Sequence, residues 1–210
     1  MTRLQRAAVL AFCLHLLAGF SMAVVLRRGL ETNSDLQDRL AFLVNYRPSW
    51  TFAWLTWTAA AIAILYFYVV FADVHRTSSN LAILLTVAGL GPDLAAQAIE
   101  IGVLPGLASH ALSTNAAPEL FLTLHRVAVM LSGYLGNGLY SVTAMLLAWS
   151  ARYAYPAWVS SMGIAVGVFG IALSVAALLD SAAGMFWTNV FLVPSILIWL
   201  GGVAICRGGL

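Results

Sequence analysis

"LAILLTVAGLGPDLAAQAIEIGV", Leu81 to Val103, decides the fold. It is long enough and apolar enough to cross a bilayer, which takes about 20 residues of helix. Yet it carries Asp93, Gln97 and Glu100. At about 100° per helical residue these three fall within about 60° of one another. On an insertion scale a central aspartate costs about 2.5–3.5 kcal/mol, whereas a leucine returns only about half a kcal/mol. A span burdened in this way is marginal alone and inserts only with its neighbours. Its polar side therefore faces the interior of a bundle or a watery cavity, not lipid.

The remainder of the chain has the same solvent. Hydrophobic residues make up 62% and charged residues 9%, against about a quarter charged in soluble domains. The sequence reads as an all-α integral membrane protein, a single domain over 1–210. Six transmembrane helices are expected, near 7–26, 50–72, 81–103, 124–148, 157–179 and 187–206, and the lipid bilayer is the first partner. Formal net charge is +2 with no basic patch, so nucleic acid is excluded as a partner. All ten basic residues are arginine, which removes retinal and pyridoxal Schiff bases, since both need a lysine amine. No cofactor is implied.

The first span follows Arg3 and Arg6 and ends at Arg27-Arg28. Its apolar run exceeds a signal-peptide core, so it reads as an uncleaved anchor despite Ser21-Met22-Ala23. With the N-terminus inside, Arg3, Arg6, Arg76, Arg152 and Arg207 are cytoplasmic, while Arg27, Arg28, Arg39 and Arg47 lie outside. This favours cytoplasmic termini in a cell inner membrane. Trp50, Trp54 and Trp57 open the second span, and Trp149 and Trp158 flank the fourth connection. Cys13 and Cys206 then sit in the reducing half, and no structural disulfide is expected.

Between the first two spans, Leu36, Leu40 and Leu43 recur at helical spacing. Thr32, Asn33 and Ser34 offer caps ahead of them, and Pro48 stops the run. A short amphipathic helix on the membrane surface is expected, with a lid over a site as its functional alternative. The stretch 104–123, with Pro105, Gly106 and Pro118, is expected to be an ordered outer loop.

Gly163, Gly167, Gly170 and Ser174 form a small-residue stripe on the fifth span, which lets another backbone approach. On the fourth span, Ser132, Gly136 and Tyr140 share a stripe, with Asn137 about 60° to its side and His125 further outward. Three glycines in this short stretch weaken a helix by about 1 kcal/mol each relative to alanine, so something close-fitting must offset them. The candidate ligand-binding set is Asp93, Gln97 and Glu100 on the third span with Ser132, Asn137 and Tyr140 on the fourth. A buried carboxyl facing a tyrosine and an amide suits binding of a small polar molecule or relay of a proton. Gly91-Pro92 predicts a loosened or broken helix, as in transport sites.

The four histidines do not form a haem site: His15 is expected at mid-depth, His75 at the inner edge, and His110 and His125 at the outer edge. An alternative is an outer-face metal hydrolase with ligands drawn from His110, Glu119, His125 and Asp180, joined by Glu100. These have no tight spacing such as HExxH, and no GxSxG elbow is present.

"GYLGNGLYS" (Gly133–Ser141) and "FWTNVFLVPSILIWLGG" (Phe186–Gly202) make the chain resemble uncharacterised multi-helix bacterial inner-membrane families. The resemblance covers most of the chain and carries over no active site. Size, helix count and the Ala7/Ala11 pair are also similar to the substrate-binding subunits of vitamin importers. Three functional readings follow: a pocket binding and moving a small molecule or ion, the metal hydrolase, and a non-catalytic subunit of a homo-oligomer or larger membrane complex.

Overall fold

The computed structural model describes residues 1–76, 79–114 and 118–206. No strand occurs among them. Helix α1 (Arg3–Val24) starts at Thr2, whose hydroxyl accepts from Gln5 while the Gln5 side chain accepts from the Thr2 amide, a reciprocal capping box. A 3₁₀ turn at Leu26–Arg28 follows. Helix α2 (Leu36–Asn45) is capped by Asp35, whose side chain accepts from the Asp38 amide; Thr32, Asn33 and Ser34 precede the cap. Instead of capping, Asn33 donates to the Arg28 carbonyl and the Asp38 carboxylate.

Helix α3 (Arg47–His75) opens with Pro48 in its first turn, where the missing N–H costs nothing. Helix α4 (Ser79–Gly102) runs through Pro92 without interruption, so the expected break at Gly91-Pro92 does not occur. The expected outer loop is helical over much of its length: α5 spans Leu104–Thr114 and α6 spans Glu119–Val129. Residues 115–117, between them, lie outside the described residues, as does Arg207. A π-helical segment (Met130–Gly136) joins α6 to α7 (Asn137–Ser150) in one continuous run. Helices α8 (Ala157–Leu178) and α9 (Ala182–Ile205) complete the chain.

Among the described residues, five stretches are long and apolar enough to cross a membrane: Arg3–Arg28, Arg47–His75, Asn80–Thr114, Ala157–Leu178 and Ala182–Ile205. The expected fourth span, 124–148, falls inside the run 119–150. It is not one of the five; the π-helical segment lies there between helices of 11 and 14 residues.

The long helices form a ring in chain order. Helix α1 packs on α3, α3 on α4, α4 on the π segment and α7, α7 on α8, α8 on α9, and α9 returns to α1. Short connections make sequential neighbours antiparallel. The glycine stripe of α8 docks on α7: a Cβ at Gly163 would lie 2.5 Å from the Ala148 Cβ, and one at Gly167 would lie 2.6 Å from the Met145 Cβ. At the end where α1 begins and α9 ends, Phe67, Phe71, Leu147 and Trp199 fill the interior, all almost fully buried. At the other end α2 lies against α5 over a second cluster containing Leu40, Leu43, Trp50, Leu104 and Phe121.

Candidate functional site

Asp93 lies midway along α4 and is 8% exposed. The Ser132 hydroxyl donates to its Oδ1 at 2.6 Å and the Tyr140 hydroxyl to its Oδ2 at 3.4 Å. Gln97, one turn along, hydrogen-bonds the same carboxyl. The Gln97 carbonyl oxygen is occupied by the Thr58 hydroxyl of α3, which leaves its amide N–H groups to face Asp93. Every group around Asp93 is thus a neutral donor. Asn137 does not join them: its amide donates to the Ser132 carbonyl at 3.1 Å and supports the π segment. Gly136 faces Asp93 directly, and a Cβ there would lie 3.1 Å from the Asp93 Cβ. The close-fitting partner that offsets the fourth span's glycines is α4 on one side and α8 on the other, where a Cβ on Gly138 would meet the Ser174 hydroxyl at 3.0 Å.

Glu100 belongs to a second cluster, nearer the face capped by α2 and α5. His125 Nε2 lies 3.5 Å from Glu100 Oε1 and 3.4 Å from Glu31 Oε2. On the other side of the ring, Arg39 Nη2 approaches His125 Nδ1 at 2.6 Å, while Arg39 Nε donates to the Gly29 carbonyl at 3.2 Å. A guanidinium has donors and no acceptor, so Nδ1 must accept. The ring is therefore neutral with its proton on Nε2, and that N–H faces both carboxylates. Burial lowers the pKa of Arg39, and the carboxylates of Glu31 and Glu100 raise it; a guanidinium so placed stays charged. Trp50 donates to the Glu100 backbone carbonyl at 2.8 Å. Glu100 Oε2 and His125 Nε2 are buried and make no hydrogen bond of ordinary geometry.

Of the sequence-derived set, the structure unites Asp93, Gln97, Ser132 and Tyr140, places Asn137 behind them and assigns Glu100 to other partners. The alternative metal ligands are dispersed. His110 and Glu119 are exposed on α5 and α6, Asp180 pairs with Arg126 at 2.9 Å, and His125 sits in the Glu100 cluster. Among the described residues no three His, Cys, Asp or Glu side chains are grouped to hold a metal ion.

Sequence reasoning missed Thr58, Glu31 and Arg39. Arg39 had a signal: it stands beside Leu36, Leu40 and Leu43 on the apolar stripe of α2, where an arginine needs a buried partner. At the ring's other end His75 and the Tyr155 hydroxyl are 3.0 Å apart, and burial pushes the Tyr155 phenol up to about 12. No family model, no curated protein and no solved structure matches the chain.

Proposed function

We propose that this chain is a six-span protein of a bacterial inner membrane, with cytoplasmic termini, whose interior pocket between α4 and the α6–α7 run binds and moves a small ion or an ion-coupled solute. One observation carries the reading: Asp93 is a buried carboxyl with three neutral donors around it and no basic partner. The bonds to Ser132, Tyr140 and Gln97 all suit the ionised form. Yet the described arginines nearest the interior are engaged elsewhere, Arg39 with His125 and Arg126 with Asp180, and the chain has no lysine. An unneutralised carboxylate at such depth costs several kcal/mol. The charge is met by something that arrives, a proton or a small cation, and can leave again.

The π-helical segment supports the same reading, since such segments occur frequently at functional sites. The test is current recording from proteoliposomes on a solid support during jumps in proton, sodium or potassium concentration. A transient in the parent protein that disappears in Asp93→Asn is expected. A parent that gives no transient to any of the three, or an Asp93→Asn variant that matches it, would sink the proposal.

A further inference from the structure

We infer that the ion handled at Asp93 is the proton, and that it reaches Asp93 from the face capped by α2 and α5, through Glu31, Glu100 and the Nε2–H of His125 that they share. The inference rests on the reading of Asp93 given above and adds the ion and the side.

Glu31 is the mouth. Its side chain is 25% exposed, whereas those of Glu100 and His125 are 3% and 4% exposed. The two carboxyls are held near each other because one N–H lies within reach of both. The groups facing His125 are Arg39 from α2, Glu31 from the turn after α1 and Glu100 from α4. Arg39 blocks Nδ1, so the ring cannot pass a proton from one nitrogen to the other. What it does instead is serve whichever carboxylate is ionised. In the transfer, the O–H of protonated Glu31 breaks and an O–H forms on Glu100. The Nε2–H, within reach of both carboxyls, then turns from Glu100 toward the newly ionised Glu31. The charge of the cluster, with Arg39 as its fixed cation, is the same before and after.

Glu100 Oε2 and His125 Nε2 are buried polar atoms without hydrogen-bond partners: the carboxyl oxygen is placed to receive a proton, and the Nε2–H to donate to a water or an ionised carboxylate. From Glu100 to Asp93 is about 10 Å along α4, on one side of the helix with Gln97 between them. Roughly one or two waters along that side would span the interval, because bridging waters are nearly as good as direct bonds.

The opposite half offers hydroxyls, Tyr68, Thr86 and Thr143, bonded among themselves and to backbone carbonyls, but no chain of carboxyls. From Asp93 to the far ends of α3, α4 and α7, no carboxyl, histidine or arginine occurs until Asp73, His75 and Arg152, and Phe67, Phe71 and Trp199 pack against one another there. Glu31, Glu100 and His125 converge on one N–H, and among the described residues no three His, Cys, Asp or Glu side chains are grouped to hold a metal ion, which suits the proton better than a larger ion.

The experiment places the protein in liposomes with a membrane-impermeant caged acid confined to one compartment, and follows carboxyl C=O stretching by infrared spectroscopy after a flash. The Asp93 band is assigned by its loss in Asp93→Asn. Release on the α2–α5 side should protonate Asp93 promptly, and Glu100→Gln should slow that response by about a hundredfold, the scale of one positioned proton-transfer group. Glu31→Gln, at a partly exposed position in the turn between α1 and α2, should slow it in the same direction. A prompt response to release on the other side, or Glu31→Gln and Glu100→Gln proteins as fast as the parent, would overturn the route. An Asp93 band moved by a sodium jump in place of acid would overturn the proton and leave the Asp93 pocket standing. A band that responds to nothing on either side would overturn both.

Discussion

Replacing Asp93 separates chemistry from carpentry. In Asp93→Asn the side-chain oxygen still accepts from Ser132, and the new N–H₂ group can donate to the Tyr140 oxygen, so the two bonds at 2.6 and 3.4 Å have successors. An amide is also cheaper to bury than a carboxylate. Stability should change by less than about 1 kcal/mol. In Asp93→Leu the Ser132 and Tyr140 hydroxyls and the Gln97 amide lose their acceptor. Each abandoned buried group costs about 1–3 kcal/mol. Because Ser132 and Tyr140 are only half-buried, the lower part of that range applies, and the sum is about 2–4 kcal/mol. For a chain of this size that lowers the melting temperature by about 10 °C. The assay is thermal unfolding in detergent beside the ion-jump recording. Both variants should lose the current, but only leucine should lose stability. An asparagine variant with full current would remove the carboxyl from the mechanism. A leucine variant as stable as the parent would mean that the bonds to Ser132 and Tyr140 do not hold α4 to the π segment.

Two glycines should respond in opposite directions. Gly136→Ala puts a Cβ 3.1 Å from the Asp93 Cβ and 3.4 Å from the Gly89 carbonyl, costing about 1–3 kcal/mol; Gly91→Ala meets nothing within 4 Å and should stabilise α4 by about 1 kcal/mol. Equal melting temperatures for the pair would contradict the packing described. Nitrogen-15 NMR of labelled histidine should find His125 neutral with its proton on Nε2. Arg39→Met, which strips the guanidinium from Nδ1 and the Gly29 carbonyl, should abolish that preference and cost about 3 kcal/mol; an unchanged tautomer in the variant would refute the contact. Cysteines placed singly at Ser34 and Ser113, in a background without Cys13 and Cys206, should label from the same side of the membrane, and labelling of only one would end the six-span arrangement.

What was legible in the sequence was local. Asp93 and Gln97 advertise an interior side because helical spacing alone puts them together on an apolar helix, and Ser132 and Tyr140 follow because the next long helix must pass alongside. The partners of Glu100 were not legible, for a physical reason. Arg39 and Glu31 come from a short helix and a turn at the end of the bundle, and their direction is fixed only when α2 settles on α5. Both belong to a stretch rich in charge, Glu31 to Arg39, where solvation is the ordinary fate. The same limit explains the stretch 104–123. Pro105, Gly106 and Pro118 are loop residues in isolation, but Pro105 falls in the first turn of α5, where it costs no hydrogen bond.

The misplaced irregularity is more instructive. Gly91-Pro92 looks like a break, yet a proline in a long helix forfeits only local bonds, and packing against α3 and the π segment keeps α4 continuous. The irregular turn lies across from it, at Met130–Gly136, where glycine lowers the cost of a wide turn. Its effect on the site follows from counting. In an uninterrupted α-helix Ser132 and Tyr140 stand about 80° apart around the axis. A π segment inserts one residue, which sets everything after it back by about 100°. The two then differ by only about 20° and face α4 together. Side chains also lean toward the N-terminus of their helix, which lowers the Tyr140 hydroxyl toward the level of Ser132. That is how residues eight apart in the chain bond the two oxygens of one carboxyl, and why the helix opposite Asp93, not its own, had to give up regular geometry.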